Sequence, residues 1–308
     1  MIHTAVLKKE VLEYLDPKQN ENFVDCTIGE GGHAEDLLKK NGPDGKVLGI
    51  DLDPHQIASA QWLQVQFKNR IVLVNDSYIN LKEIIERKEF GQVNGILLDL
   101  GMSSAQLEGT HKGFSFQIDQ GLDMRYNDEG GYTLTAEKIV NEWSYEKIEE
   151  VLENYGEEKF AKKIAKNIVE QRKQGRIKTT FQLIEIIKDA TPASYWSRHS
   201  RGSSMKSGRG KVHYATRTFQ ALRIAVNDEL ENIKRVLPDA ISILSPEGRL
   251  AVISFHSLED RIVKNFLNQE LKKGVIKILT KKPITASRDE LSKNARARSA
   301  KLRVIIKI

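Results

Sequence analysis

Acidic and glycine residues near the start of the chain form a pattern that can hold a nucleoside cofactor. The run Asp25-Cys26-Thr27-Ile28-Gly29-Glu30-Gly31-Gly32-His33 follows an apolar segment and opens a helix-like one. Glycines at such a turn let the backbone approach a ligand at the carboxyl edge of a parallel sheet. The third glycine of the dinucleotide fingerprint is missing, and Glu30 makes the loop acidic. This loop therefore suits a cationic sulfonium ligand better than a pyrophosphate.

Polar side chains also follow the next three apolar segments. Asp51 could accept hydrogen bonds from both hydroxyls of a ribose, with Asp53 as a competitor for this role. Asp76 could reach the amine of an adenine, and Tyr78 could stack on its ring. Asp99 would lie beside the methyl group that a sulfonium ligand could donate. The alternative is that the acids only cap strand ends and that the glycines only form a turn.

The elements that carry these residues alternate between strands and helices. Near-continuous apolar segments predict strands at 23–27, 46–51, 71–74 and 95–100. Later segments at 249–255, 275–279 and 302–308 predict three more strands, with the last two antiparallel because no helix separates them. Such strands, separated elsewhere by helices, are typical of a sheet covered on both faces.

The middle of the chain has a different character. Residues 105–212 show no convincing strand, and three segments there predict helices, at 146–153, 157–173 and 181–190. Thr179 and Gln182 fit a capping box for the third. A long helix that starts near Tyr214 should bend or end near Pro238. We therefore predict a doubly wound α/β domain, residues 1–104 and 213–308, with an inserted helical domain, residues 105–212, that recognises the substrate.

The amino-acid composition limits the classes of function that this chain can have. Cys26 is the single cysteine, so no intrachain disulfide can form, and no Cys/His cluster has metal-ligand spacing, so no metal is expected. No segment approaches the roughly 20 apolar residues of a membrane span, so no membrane partner is expected. The 308 residues carry a net charge of +6, which favours polyanionic partners.

Two stretches, 189–228 and 281–303, concentrate this positive charge. No acid lies between Asp189 and Asp228, where Tyr195, Trp196 and Tyr214 interleave with basic residues, as in surfaces that stack bases. The residues predicted to contact RNA are Arg198, Arg201, Arg209, Lys211, Arg217, Arg296 and Arg298. The alternative is an ordinary solvated face.

Several strings resemble those of the RsmH (MraW) family, bacterial methyltransferases of the cytosine N4 in 16S ribosomal RNA. The matching strings are Asp25-Cys26-Thr27, Gly31-Gly32-His33, Asp99-Leu100-Gly101-Met102-Ser103-Ser104, Gly113-Phe114-Ser115-Phe116, Leu122-Asp123-Met124-Arg125, Thr218-Phe219-Gln220-Ala221-Leu222-Arg223 and Ser254-Phe255-His256-Ser257-Leu258-Glu259-Asp260-Arg261. The resemblance runs over nearly the whole chain.

The resemblance implies a class I, Rossmann-like methyltransferase sheet with a helical insertion and S-adenosylmethionine as cofactor. It implies a cytoplasmic protein whose partner is 16S rRNA in the small ribosomal subunit and whose target cytosine lies in the decoding centre. It leaves the oligomeric state open, with a homodimer as one option. The cofactor contacts it implies are Gly32, His33, Ala34, Asp51, Tyr78, Asp99 and Gln106. Tyr78 stands where Phe is usual, and Ala105 where proline is frequent.

An exocyclic cytosine amine is a poor nucleophile, so its methylation needs alignment with the methyl donor and acceptors for its N–H groups. The predicted acceptor region is the loop that holds Asp99, Ser103 and Ser104, where other amino-methyltransferases carry their catalytic motif. His256, after the fifth strand, could position substrate or transfer a proton. The alternatives are that the serines and His256 only cap helices.

Three other functions remain open on the sequence alone. They are a nicotinamide-dependent oxidoreductase, a non-catalytic RNA-binding assembly factor that kept the fold, and a DNA cytosine-N4 methyltransferase. The missing third glycine and acidic Glu30 argue against the first.

Overall fold

A computed structural model of the protein describes residues 5–102, 111–128, 131–195 and 213–308. Contacts divide the chain into a sheet unit, Met1–Ser103 with Leu230–Ile308, and a helical unit, Ser104–Glu229. The sequence-based boundary falls after residue 212, whereas residues 213–229 group with the helical unit. They do so because the helix at Thr216–Asn227 packs against other helices of that unit.

The sheet unit contains seven strands. They are β1 (Phe23–Asp25), β2 (Val47–Asp51), β3 (Ile71–Asn75), β4 (Val93–Asp99), β5 (Leu244–Ser254), β6 (Ile276–Ile278) and β7 (Lys301–Lys307). Their order is β3-β2-β1-β4-β5-β7-β6. The first five strands are parallel, and β7 runs antiparallel to both β5 and β6. The predicted α/β sheet and its antiparallel final pair are confirmed. The expectation that no helix separates the last two strands is wrong, since a short helix at Arg288–Lys293 lies between them.

The described helices follow in chain order. They are α1 (Lys8–Leu15), α2 (Gly32–Lys40), α3 (Pro54–Ala60), α4 (Trp62–Phe67), α5 (Leu81–Arg87), α6 (Ala136–Glu142), α7 (Tyr145–Asn154), α8 (Ala161–Gln171), α9 (Thr180–Ala190), α10 (Thr216–Asn227), α11 (Glu229–Ile243), α12 (Ser257–Lys272) and α13 (Arg288–Lys293). Short 3-10 turns lie at Lys68–Arg70, Tyr78–Asn80 and Ala295–Ser299. Within the described residues, no helix is both long and apolar enough to cross a membrane.

The centre of the sheet explains where a ligand can bind. β1 pairs with β2 on one side and with β4 on the other, so the strand order reverses between β1 and β4. Phe23, Leu97 and Ala251, on β1, β4 and β5, are fully buried in one core. In open parallel sheets, ligands bind outside the carboxyl ends of the strands at such a reversal point. The ends of β1 and β4 therefore mark the expected site.

The helical unit is held together by apolar helix faces. Each of α6 to α10 buries residues at helical spacing, as α8 does with Ala161, Ile164, Ala165 and Ile168. The predicted capping box of α9 is confirmed, since Thr179 and Gln182 each accept a backbone hydrogen bond from the other residue.

One helix boundary differs from the prediction. The helix that starts near Tyr214 does not run to Pro238 but ends at Asn227, where Asp228 adopts a left-handed φ of 51°. The next helix, α11, then passes through Pro238 and ends at Ile243. Leu237 and Ala240 beside the proline are fully buried, and their packing offsets the hydrogen bond that proline cannot donate.

Candidate active site

The glycine loop between β1 and α2 needs glycine at two positions. Gly29 and Gly31 have φ of 51° and 88°, a left-handed region that other residues rarely adopt. A Cβ atom at Gly31 would also lie 2.6 Å from Cδ1 of Leu63. Gly31 is the N-cap of α2, whose first turn begins with Gly32-His33-Ala34. Backbone N–H groups in a first turn lack partners within the helix, so this turn can donate hydrogen bonds to a ligand.

Asp51, at the end of β2, is oriented by this loop. Its Oδ2 accepts a hydrogen bond from the Gly29 N–H at 3.0 Å, and its Oδ1 accepts one from the Asp53 N–H at 3.0 Å. Burial raises the pKa of Asp51 to about 7, although these two hydrogen bonds act in the opposite direction. Each carboxylate oxygen has further acceptor capacity. A ligand that donates hydrogen bonds to Asp51 will favour its ionised form.

Asp53 has a structural role that differs from the role of Asp51. Its side chain is buried and serves as the N-cap of α3, accepting a hydrogen bond from the His55 N–H at 2.9 Å. The sequence left Asp51 and Asp53 as two candidates for the ribose-binding carboxylate, and their contacts in the structure distinguish them. Asp51 holds the glycine loop, and Asp53 starts a helix.

The end of β3 carries Asp76 and Tyr78. The Oδ1 of Asp76 accepts hydrogen bonds from the Ser77 N–H and from Nδ2 of Asn80, both at 2.8 Å, and its Oδ2 accepts one from Arg87 at 3.0 Å. Burial alone would raise the pKa of Asp76, but these hydrogen bonds outweigh it and lower the pKa. Asp76 is therefore an ionised anchor of this turn, and its contact with adenine stays a prediction, as does stacking by Tyr78.

Asp99 lies at the end of β4, beside the glycine loop. Its backbone N–H donates to Oγ1 of Thr27 at 2.8 Å, which ties the ends of β1 and β4 together. Its Oδ2 lies 3.7 Å from Nε2 of the buried His33. A Cβ at Gly101, two residues on, would lie 2.5 Å from Cε2 of Phe255. Close packing thus fixes the chain on both sides of the Asp99 carboxylate.

Asp25 is a second, fully buried carboxyl group at the end of β1. Its Oδ1 accepts a hydrogen bond from the Thr27 N–H at 3.2 Å. Burial raises the pKa of Asp25 to about 6, the attraction of His33 opposes this, and Asp99 adds to it. The sequence prediction gave Asp25 no role. The signal was an acid as the last residue of a strand that is otherwise wholly apolar.

His256, which the sequence suggested as a catalytic residue, is the N-cap of α12. Its Nδ1 accepts a hydrogen bond from the Glu259 N–H at 3.4 Å. Oε2 of Glu259 accepts from the backbone N–H groups of Phe255 and His256, which completes a capping box. Nε2 of His256 lies 3.1 Å from Oε1 of the same glutamate. This geometry favours the helix-capping alternative, and a role in chemistry stays a prediction.

Several predicted residues lie outside the described part of the chain. They are Ser103, Ser104, Gln106, Arg198, Arg201, Arg209 and Lys211. Among the others, Arg217 of the helical unit donates to the carbonyl oxygen of Glu157 at 2.6 Å. Arg296 and Arg298 share one 3-10 turn of the sheet unit.

Two aromatic residues of the first basic stretch, Tyr195 and Tyr214, lie in the described part of the chain, and Trp196 lies outside it. Tyr214 is buried, and Tyr195 packs edge-on against Phe160 while its hydroxyl donates to Glu158. The burial of Tyr214 disfavours stacking by its ring. Tyr195 is partly exposed, and stacking of a base on its ring stays a prediction.

The residues at the sheet edge fit S-adenosylmethionine. This ligand offers two ribose hydroxyls as donors and two cationic groups, the sulfonium and the ammonium. The edge offers carboxylates at the ends of β2 and β4, and a loop in which Gly29 and Gly31 adopt left-handed backbone conformations without side chains. Asp51 would hold the ribose, while Asp99 and the first turn of α2 would hold the methionine part.

Comparison with known proteins decides the family. The model of the MraW methylase family matches residues 1–308. The chain belongs to this family. A curated relative from Heliobacterium mobile, named ribosomal RNA small subunit methyltransferase H, is 42% identical, and the alignment covers 99% of both chains. A protein of the same name from Clostridium botulinum (strain Kyoto / Type A2) is also 42% identical, again with 99% of each chain covered.

Solved structures are more distant. An rRNA methylase from Streptococcus thermophilus is 10% identical, with a TM-score of 0.43 over 98% of this chain and 93% of that one. Membership of the MraW methylase family confirms the predicted class I methyltransferase sheet and the S-adenosylmethionine cofactor.

Proposed function

We propose that this MraW methylase transfers a methyl group from S-adenosylmethionine to the exocyclic N4 of a cytosine in the decoding centre of 16S rRNA. The small ribosomal subunit would be its partner. The observation that carries the proposal is the end-to-end similarity to two proteins named ribosomal RNA small subunit methyltransferase H. The carboxylate of Asp99 at the reversal point of the sheet supports it, because that is where an amine would meet the methyl donor.

The reaction forms an N–C bond at the cytosine amine as the S–C bond breaks. When bound, S-adenosylmethionine supplies a methyl group activated by its positive sulfur. The cytosine N4 lone pair attacks the methyl carbon, one N–H proton is released to water, and N4-methylcytosine and S-adenosylhomocysteine are the products. Because the lone pair is delocalised into the ring, the protein must place the amine in line and accept hydrogen bonds from its N–H groups.

Two described residues would position the reactants, Asp51 the cofactor and Asp99 the amine. Asp51 is fixed by the backbone N–H groups of Gly29 and Asp53, so it can hold the ribose without reorganising. Asp99 is fixed through Thr27 and the neighbouring glycine turn, so its carboxylate is preorganised at the end of β4. A fixed acceptor costs no reorganisation when charge develops on the amine. Ser103 and Ser104 remain the predicted further acceptors.

The target base must leave its stack before its amine can reach a donor held at a sheet edge. Phosphate contacts would place the RNA without reading its sequence. Arg217, Arg296 and Arg298 are the described residues that we propose for such contacts; the first is exposed only in part, because its guanidinium also holds Glu157.

The proposal is tested by mass spectrometry of small-subunit rRNA from cells with and without the gene. We expect one N4-methylcytosine to disappear on deletion and to return with the wild-type gene. Purified protein with radiolabelled S-adenosylmethionine should label small ribosomal subunits in preference to duplex DNA. Labelling of DNA alone would favour a DNA methyltransferase, and binding to subunits without labelling would favour an assembly factor.

A further inference from the structure

The helix α8 has two faces of very different chemistry. Ala161, Ile164, Ala165 and Ile168 are buried against the helical unit. Lys162, Lys163 and Lys166 are exposed on the opposite side. At 3.6 residues per turn these three lysines fall within about 100° of the helix circumference. Lys159, also exposed, precedes the helix by two residues and continues the row. We call these four residues the lysine face.

The lysine face is not neutralised by its own surroundings. Within the described residues, Lys159, Lys162 and Lys163 take part in no ion pair, and Lys166 has only a long contact of 3.8 Å with Glu170. Other surface lysines differ, since Lys188, Lys234 and Lys273 each pair with a glutamate three residues earlier. Three neighbouring unpaired lysines repel one another, so their clustering is costly unless an anion meets them.

The neighbouring helix carries the opposite charge. α7 packs against α8 in the helical unit and exposes Glu146, Glu150 and Glu153. On the same helix, the hydrogen bond with Glu149 and the charge of nearby glutamates raise the pKa of Tyr145 to about 12. The unit therefore presents a basic face beside an acidic one. A polyanion would be attracted to the lysine face of α8 and repelled by the acidic face of α7, and this difference restricts the orientation in which it can bind.

We infer that the lysine face binds the phosphate backbone of the rRNA substrate. This inference rests on the proposed function, because rRNA is the polyanion that such an enzyme must hold. Lysine ammonium groups on flexible stems suit contacts with phosphates, which give affinity and placement without sequence specificity. The sequence prediction missed this surface, because the lysines lie among acids in the chain and separate from them only when the helix forms.

The test compares two triple variants with the same change in net charge. K162Q/K163Q/K166Q neutralises three of the four lysines of the lysine face, and K188Q/K234Q/K273Q neutralises three lysines that are paired with glutamates. Glutamine has a helix propensity close to that of lysine, so both proteins should fold, which thermal unfolding checks. Binding to 16S rRNA is measured from 50 to 200 mM salt, and KM and kcat are measured with small ribosomal subunits.

We expect the lysine-face variant to bind 16S rRNA roughly 10- to 100-fold more weakly, with a salt slope smaller by about two to three. Its KM for subunits should rise with kcat and the Kd for S-adenosylmethionine unchanged, while the control stays within about twofold of wild type. Equal losses in both variants, or no loss in the first, would overturn the inference. So would loss of binding to phosphatidylserine vesicles without loss of RNA binding.

The two proposals fail in different ways. If wild-type protein methylates subunits while the lysine-face variant keeps its KM and its salt slope, the inference is wrong and the function stands. If wild-type protein binds 16S rRNA through the lysine face but labels no cytosine, the proposed reaction is wrong and the binding surface stands.

Discussion

The carboxylate of Asp51 accepts a hydrogen bond from the backbone N–H of Gly29, so the end of β2 holds the loop that follows β1. The side chain of Asp51, which we expect to bind the ribose, thereby also holds the loop that we expect to approach the methionine part of the ligand. A change at either position should affect the same ligand.

Asp51 and Asp53 allow a matched comparison. Serine is as good an N-cap as aspartate, so Asp53→Ser should keep α3 and leave the affinity for S-adenosylmethionine within a few-fold of wild type. Asp51→Ser removes charge-assisted hydrogen bonds to the ribose and should weaken binding roughly 100-fold. Isothermal titration calorimetry measures both. A larger loss for Asp53→Ser than for Asp51→Ser would reverse their roles.

The raised pKa of Asp51 predicts a pH-dependent affinity. In the free protein this group is protonated below about pH 7 and ionised above it. The ionised form accepts hydrogen bonds from ribose hydroxyls more strongly, so binding favours loss of the proton. Affinity should therefore increase from pH 5 to pH 7 by up to about tenfold per unit and then level off. Asp51→Asn should remove this rise, and calorimetry at several pH values would show whether it does.

A comparison of Gly31 with Gly91 distinguishes two reasons why a position can require glycine, which are backbone conformation and steric crowding. Both have a left-handed φ, but an added Cβ at Gly91 meets nothing within 4 Å, whereas at Gly31 it meets Leu63. Gly91→Ala should lower the free energy of unfolding by about 1–2 kcal/mol through strain alone. Gly31→Ala should cost about 1–3 kcal/mol more through overpacking, and should weaken cofactor binding as well. Equal denaturation midpoints for the two variants would argue against crowding at the loop.

His256 can be tested as a cap and as a catalyst. Asparagine is a good N-cap, so His256→Asn should keep the stability that His256→Ala loses, about 1 kcal/mol. Since both ring nitrogens lie against Glu259, we expect His256→Asn to keep kcat within a few-fold. A large loss of kcat in this variant, with unchanged thermal stability and KM, would instead show that the imidazole takes part in the chemistry.

The sequence predicts the sheet well because its strands are buried on both faces. Val47–Asp51 and Val93–Asp99 are nearly continuous apolar runs, which few other structures can accommodate. The polar residue that ends each run then lies at one edge by topology alone. This is why the position of Asp51 and Asp99 at the sheet edge could be predicted without coordinates, while their contacts with a ligand stay predictions.

Other features depend on tertiary contacts that the local sequence pattern does not predict. The helix α11 continues through Pro238 because tertiary packing buries Leu237 and Ala240, and that packing is not visible in the local sequence. The capping role of His256 depends on the fold of its own loop onto Glu259, and a histidine is not a usual cap. The buried Asp25 shares its surroundings with His33 and Asp99 only because β1 and β4 are neighbours.

The most direct test of the account is a titration of the wild-type protein and of Asp99→Ala with S-adenosylmethionine, followed by a methyl-transfer assay on small ribosomal subunits. We predict that wild type binds the cofactor at one site per chain and transfers its methyl group. Asp99→Ala should unfold at a similar temperature but lose binding by roughly 100-fold and lose transfer. No heat of binding to the wild-type protein, or full activity in Asp99→Ala, would contradict the assignment of this sheet edge as the active site.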